Sequence, residues 1–128
     1  MKKRVLAAFL LVLALSAFLT SCKKEKSSFV SYQMFDYGVA ALEIADDFLE
    51  DKITAYEAVL RLSNNISYQE SHLSSEEKNL SDGPPIFDSS VIWHTEKLMN
   101  AISDKAKGKC TIDKVKEEYE SLYETLYD

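Results

Sequence analysis

The chain has 128 residues, with 15 Lys+Arg against 21 Asp+Glu, a formal charge of −6. That balance repels nucleic acid and anionic headgroups and excludes nucleic acid as a partner. Three glycines leave no room for a phosphate-binding loop, and the length allows one modest core.

The first four residues, Met1-Lys2-Lys3-Arg4, are basic, and Val5 to Phe18 is an apolar run rich in Leu and Ala. A charged opening, an apolar run and small residues before a cut site make a secretory signal. The run closes on Leu19-Thr20-Ser21-Cys22. These four residues resemble the lipobox of bacterial lipoproteins: an aliphatic residue, two small residues, then Cys. The resemblance covers residues 1–22. It implies a diacylglyceryl group on the Cys22 thiol, cleavage between Ser21 and Cys22, and acylation of the new amino terminus. An uncleaved anchor is the alternative, since the uncharged stretch from Val5 to Cys22 is 18 residues long, at the short end of the roughly 17–25 that span a bilayer. Its ending in Thr-Ser-Cys, without aromatic or charged anchors, favours cutting. Both readings place the protein in the cell envelope, on the non-cytoplasmic face of a bacterial membrane, inner or outer.

Residues 1–21 are thus read as signal peptide, 22–28 as lipidated cysteine and flexible basic tether, and 29–128 as an acidic all-α domain. Cleavage removes Lys2, Lys3 and Arg4 and no acid, leaving a formal −9. The tether from Lys23 to Ser28 spans about 20 Å at full stretch. With Cys22 committed to lipid, Cys110 has no partner for an internal disulfide. It is read as a small residue packed inward beside Thr111. Lys107, Lys109 and Lys114 nearby are the features that would favour a thiolate.

Residues 28–50 are expected to form a first helix capped by Ser28, with an apolar stripe through Met34, Phe35, Val39, Leu42, Ala45 and Leu49. Gly38 inside the stripe weakens that helix but permits close approach by a neighbour. Thr54-Ala55-Tyr56-Glu57 has the form of a capping box, with Ile53 as its staple onto Ala58. The second helix runs from Ala55 to about Ser71, facing inward at Ala58, Val59, Leu62 and Ile66. Its polar far end, Ser63-Asn64-Asn65 and Ser67, is expected to fray or to be partly exposed. Residues 74–88 are read as a joint, broken by Gly83-Pro84-Pro85 and pinned by Ile86 and Phe87. A third helix runs from about Ser89 to Lys107, capped by Asp88 or Ser89 and ended by Gly108. A fourth, capped by Thr111, runs from Ile112 to about Leu126. Placing Thr54 on Thr111 aligns the two halves as similar helical hairpins. The expected fold is all-α: two antiparallel hairpins making a four-helix domain.

Few residues carry chemistry. Neither His72 nor His94 stands in a metal-ligand spacing on this reading, with Glu70 lying on another face from His72. Asp46-Asp47 and Glu50-Asp51 lack the alternating oxygens and inner glycine of a calcium loop and read as solvated surface. No cofactor is implied. Tyr119, Tyr123 and Tyr127 recur every four residues along the fourth helix. With Trp93 they are the candidates for a partner-binding strip, while the ordinary reading makes Tyr119 a core residue and the others its flanks. The functional expectation is a membrane-anchored, non-enzymatic protein that binds another protein or serves a structural role in the envelope. A secretin pilotin, which it resembles in size and helical make-up, and an inhibitor of a cationic cell-wall hydrolase are concrete forms of it. The competing class is an enzyme whose site is assembled from Glu, His94 and Tyr residues across helices.

Overall fold

The computed structural model describes residues 25–79 and 87–128. The signal segment, Cys22 and the Gly-Pro-Pro joint lie outside the described residues. Four helices follow in order: α1 Tyr32–Leu49, α2 Ala55–Asn79, α3 Asp88–Ala106 and α4 Ile112–Leu126. Helix α1 packs on the other three, and so does α3, whereas α2 and α4 do not touch among the described residues. The hairpins α1–α2 and α3–α4 therefore close into a ring with α1 and α3 across its short diagonal. No helix among the described residues is long and apolar enough to cross a membrane.

The apolar stripes meet as their spacing predicts. Met34, Ala41, Leu42 and Ala45 from α1 join Ala58, Leu62 and Ile66 from α2, Val91, Leu98 and Ile102 from α3, and Val115, Leu122 and Leu126 from α4. Gly38 is buried where α4 passes. A Cβ built on it would stand 2.5 Å from Leu126 Cδ2, so any larger residue here would have to push the Leu126 side chain aside.

Both hairpin turns use one motif. At the end of α1, Lys52 N–H donates to Asp47 O at 2.8 Å and Asp51 N–H to Phe48 O at 3.1 Å. At the end of α3, Lys109 N–H donates to Asp104 O at 2.8 Å and Gly108 N–H to Lys105 O at 3.1 Å. This pairing satisfies two orphan carbonyls and needs a left-handed residue at its centre. Gly108 has φ 73°, and Asp51 takes the same role at φ 59°. The offset between the turns is the one that aligns Thr54 with Thr111.

The caps differ from expectation. Ser31, not Ser28, caps α1, its hydroxyl accepting from Met34 N–H at 3.2 Å. Thr54 accepts from Glu57 N–H at 3.1 Å, but the Glu57 carboxylate pairs with Arg61 at 2.7 Å. Thr111 has the extended backbone of a cap and makes no side-chain cap bond, and none is made at the start of α3.

Two larger corrections concern α2 and the tether. Helix α2 continues eight residues past Ser71, because its polar residues have partners inside the bundle. The Asn65 amide donates to Tyr37 O at 2.9 Å. Gln69, fully buried, donates to Asn65 Oδ1 and to Thr95 Oγ1. Thr95 in turn donates to Val91 O at 2.7 Å. This ladder joins α1, α2 and α3: Ser63, Asn64 and Ser67 are exposed as expected, whereas Asn65 is buried and, through Gln69, ties the second hairpin to the first. The tether assignment shortens as well. Ser27 N–H donates to Leu126 O at 2.8 Å, and Asp128 N–H to Glu25 O at 3.0 Å. Lys26 and Tyr127 form an antiparallel bridge, and the Lys26 ammonium donates to Val30 O while lying over the Tyr32 ring. Residues 25–28 thus belong to the folded domain.

Candidate functional site

The extension of α2 carries two side chains to the end of the bundle where α1 and α3 begin. His72 and Glu76 are one turn apart and share a face. His72 Nε2 lies 2.8 Å from Glu76 Oε1. Asp88, expected to cap α3, turns across to α1: one carboxylate oxygen accepts from Ser31 N–H at 2.8 Å and the other from Ser31 Oγ at 2.7 Å. Asp88 is fully buried, and Ser31 serves two helices, capping α1 and holding the acid that opens α3.

His72, Glu76 and Asp88 each offer a ligand atom within 4.8 Å of the others. Glu76 Oε2 is buried without a hydrogen-bond partner among the described residues. Burial, and then the Asp88 carboxyl at hydrogen-bonding range together with its charge, hold the Glu76 carboxyl above its ordinary value, while His72 and Ser31 pull the other way. Two carboxyls therefore face one another beside one imidazole. Sequence reasoning missed the trio because the helix was ended at Ser71. The readable signal was the i,i+4 spacing of His72 and Glu76; Asp88 joins them only through the tertiary fold.

The tyrosine strip of α4 is turned onto α1. The Tyr119 hydroxyl donates to Asp46 Oδ2 at 3.3 Å. Burial and the Asp46 charge push the Tyr119 phenol well above its ordinary value. Tyr123 and Tyr127 stack at 4.6 Å, and Tyr127 meets Phe35 edge-on at 5.3 Å. All three are half-buried. Trp93 stands apart from them, 52% exposed, with Lys97 over its ring at 4.0 Å and His94 against its edge. His94 lines a cavity of about 340 Å³ between α3 and α4 with Ser121 and Thr125, and its Nδ1 is buried without a partner among the described residues. The Cys110 thiol donates to Ala101 O at 3.3 Å and borders an open cavity of about 540 Å³.

A more exposed row lies on α2. Tyr56 is 80% exposed, Leu60 51% and Tyr68 62%; they wind about 120° around the outer surface of α2, from Tyr56 on the α3 side to Tyr68 on the α1 side. Tyr68 stacks on Tyr37 of α1 at 6.2 Å, beside a groove of about 360 Å³ that Ile44, Arg61 and Asn64 also line. Periodicity gave no sign of this row, because it lies on the face turned away from the core.

No family model matches this chain. No curated protein and no solved structure shows a significant match to it.

Proposed function

We propose that this is a lipid-anchored, non-enzymatic protein of the bacterial cell envelope whose helical domain binds a positively charged protein. The observation that carries the binding role is the exposed row Tyr56, Leu60 and Tyr68 on α2. Solvent-facing aromatics on a rigid helix are costly to leave in water and are typical anchors at interfaces. The formal −9 of the chain from Cys22 steers basic partners toward it. The anchor rests on the lipobox resemblance at Leu19 to Cys22.

Among concrete partners, a cationic cell-wall hydrolase suits the charge. A pilotin would need a groove for an apolar peptide. The groove beside Tyr37 and Tyr68, about 360 Å³, is mostly apolar, with Ala40 and Ile44 in its lining, and could seat a short apolar segment.

Two measurements test this reading. A fatty-acid probe labels the wild-type chain and leaves Cys22→Ala unlabelled; equal labelling refutes the anchor. A photocrosslinker at Tyr68 forms an adduct with a basic envelope protein in membranes, and the adduct fades as salt rises. The same crosslinker at Lys116, exposed on α4, forms none. Equal adducts at both positions, or indifference to salt, would overturn the proposed surface.

A further inference from the structure

We infer that His72, Glu76 and Asp88 form a binding site for one divalent transition-metal ion, Zn²⁺ foremost, which ties the end of α2 to the start of α3. The site does not depend on the anchor or the partner surface.

The geometry points there in three ways. The first is distance. Ligand atoms on a tetrahedral Zn²⁺ at about 2.0–2.2 Å from each donor stand roughly 3.4 Å apart. The three donors already lie within 4.8 Å of one another. His72 Nε2 and Glu76 Oε1, now at 2.8 Å, need part by only about half an ångström, within the freedom of two side chains on adjacent turns. The second is charge. Two carboxylates against one imidazole leave an excess of negative charge around a buried acid, and a protonated imidazole supplies a single positive charge. A divalent cation neutralises both carboxylates, and bidentate approach by Glu76 would satisfy the Oε2 atom that lacks a protein partner among the described residues. The third is the outer shell. Ser31 donates to both oxygens of Asp88 through its backbone N–H and its hydroxyl. Metal-ligating carboxylates are commonly held by such outer hydrogen bonds, which fix their orientation.

The donor types select the ion. One imidazole with two carboxylates suits Zn²⁺ and its first-row neighbours, whereas Ca²⁺ and Mg²⁺ prefer oxygen alone. With Glu76 bidentate the three residues supply four donor atoms and close a tetrahedral shell; with Glu76 bound through one oxygen, water takes the fourth position. Asp88 is fully buried, while His72 and Glu76 retain side-chain exposures of 24% and 12%. An ion therefore enters from the α2 side.

The test uses the full chain in detergent, stripped with chelator. Co²⁺ is titrated while visible d–d absorption is followed, and Zn²⁺ is then added to displace it. The expected result is saturation at one equivalent, a d–d spectrum that Zn²⁺ abolishes, and a higher thermal midpoint with one equivalent of Zn²⁺. Affinity should fall at least about tenfold in His72→Gln and about tenfold in Ser31→Ala, which keeps all three ligands but loosens Asp88. Asp88→Asn should abolish the site but also breaks a buried contact. His72→Gln, at a position about a quarter exposed and checked for native helicity by circular dichroism, therefore decides the matter. Unsaturable binding beyond one equivalent, equal affinity in His72→Gln and wild type, or displacement of Zn²⁺ by equimolar Ca²⁺ would each overturn the assignment.

Discussion

His94 is the residue through which mild acid should loosen this fold. Burial pushes its imidazole below the ordinary value of 6.5; Glu118 opposes that shift and Lys97 adds to it. The folded chain therefore holds fewer protons on His94 than the unfolded chain does. Its contribution to stability is complete above about pH 6.5 and is lost as pH falls through and below that value. Wild type should lose more urea stability between pH 7 and pH 5.5 than His94→Gln does, and parallel curves would refute the assignment. At this scale the sequence reads unevenly. Asp88 resembles an ordinary helix cap in the sequence, and its bond to Ser31 is a contact across the fold that no local pattern encodes. Tyr119 reads correctly as a residue facing the core, although its hydroxyl partner Asp46 stands in an acidic run that looks solvated.

Elements are more legible, and their exceptions are physical. The turn signals around Thr54 and Thr111 place both hairpins, because caps and left-handed turn residues act locally. Polar residues read as exposed, which holds for Ser63, Asn64 and Ser67 but not for Asn65, which is buried and bonds Tyr37 O and Gln69 inside the bundle. The matched turns yield a sharper expectation. Asp51 and Gly108 occupy equivalent left-handed positions, but only glycine does so without steric cost. Asp51→Gly should raise stability by about 1 kcal/mol, read as a higher urea midpoint with unchanged m. A lower midpoint would mean that the Asp51 side chain contributes more than its backbone costs.

At the scale of the whole molecule, the domain is closed where residues 25–27 meet residues 126–128. Ser27 N–H and Leu126 O, and Asp128 N–H and Glu25 O, join the segment entering α1 to the end of α4. Ser27→Pro removes the first of these donors and leaves a buried carbonyl unpaired, at a cost of about 1–3 kcal/mol. Ser27→Ala keeps the N–H and loses only the hydroxyl that accepts from Phe29 N–H at 3.2 Å. It should cost less, and equal losses in the two variants would show that the Ser27–Leu126 backbone bond contributes little.

The meeting of these two segments also decides how the protein can be handled. Cys22 precedes Glu25 by three residues, so acylation there as proposed would hold the Glu25–Asp128 pairing close to the bilayer. A reporter or affinity tag fused at Asp128 would be pressed against headgroups and would pull on the Glu25–Asp128 pairing. The turns at residues 50–54 and 107–111 lie at the opposite pole, about 27 Å away along helices of 18 and 19 residues. Labels placed at those turns would stand clear of the bilayer and leave the clasp between residues 25–27 and 126–128 intact.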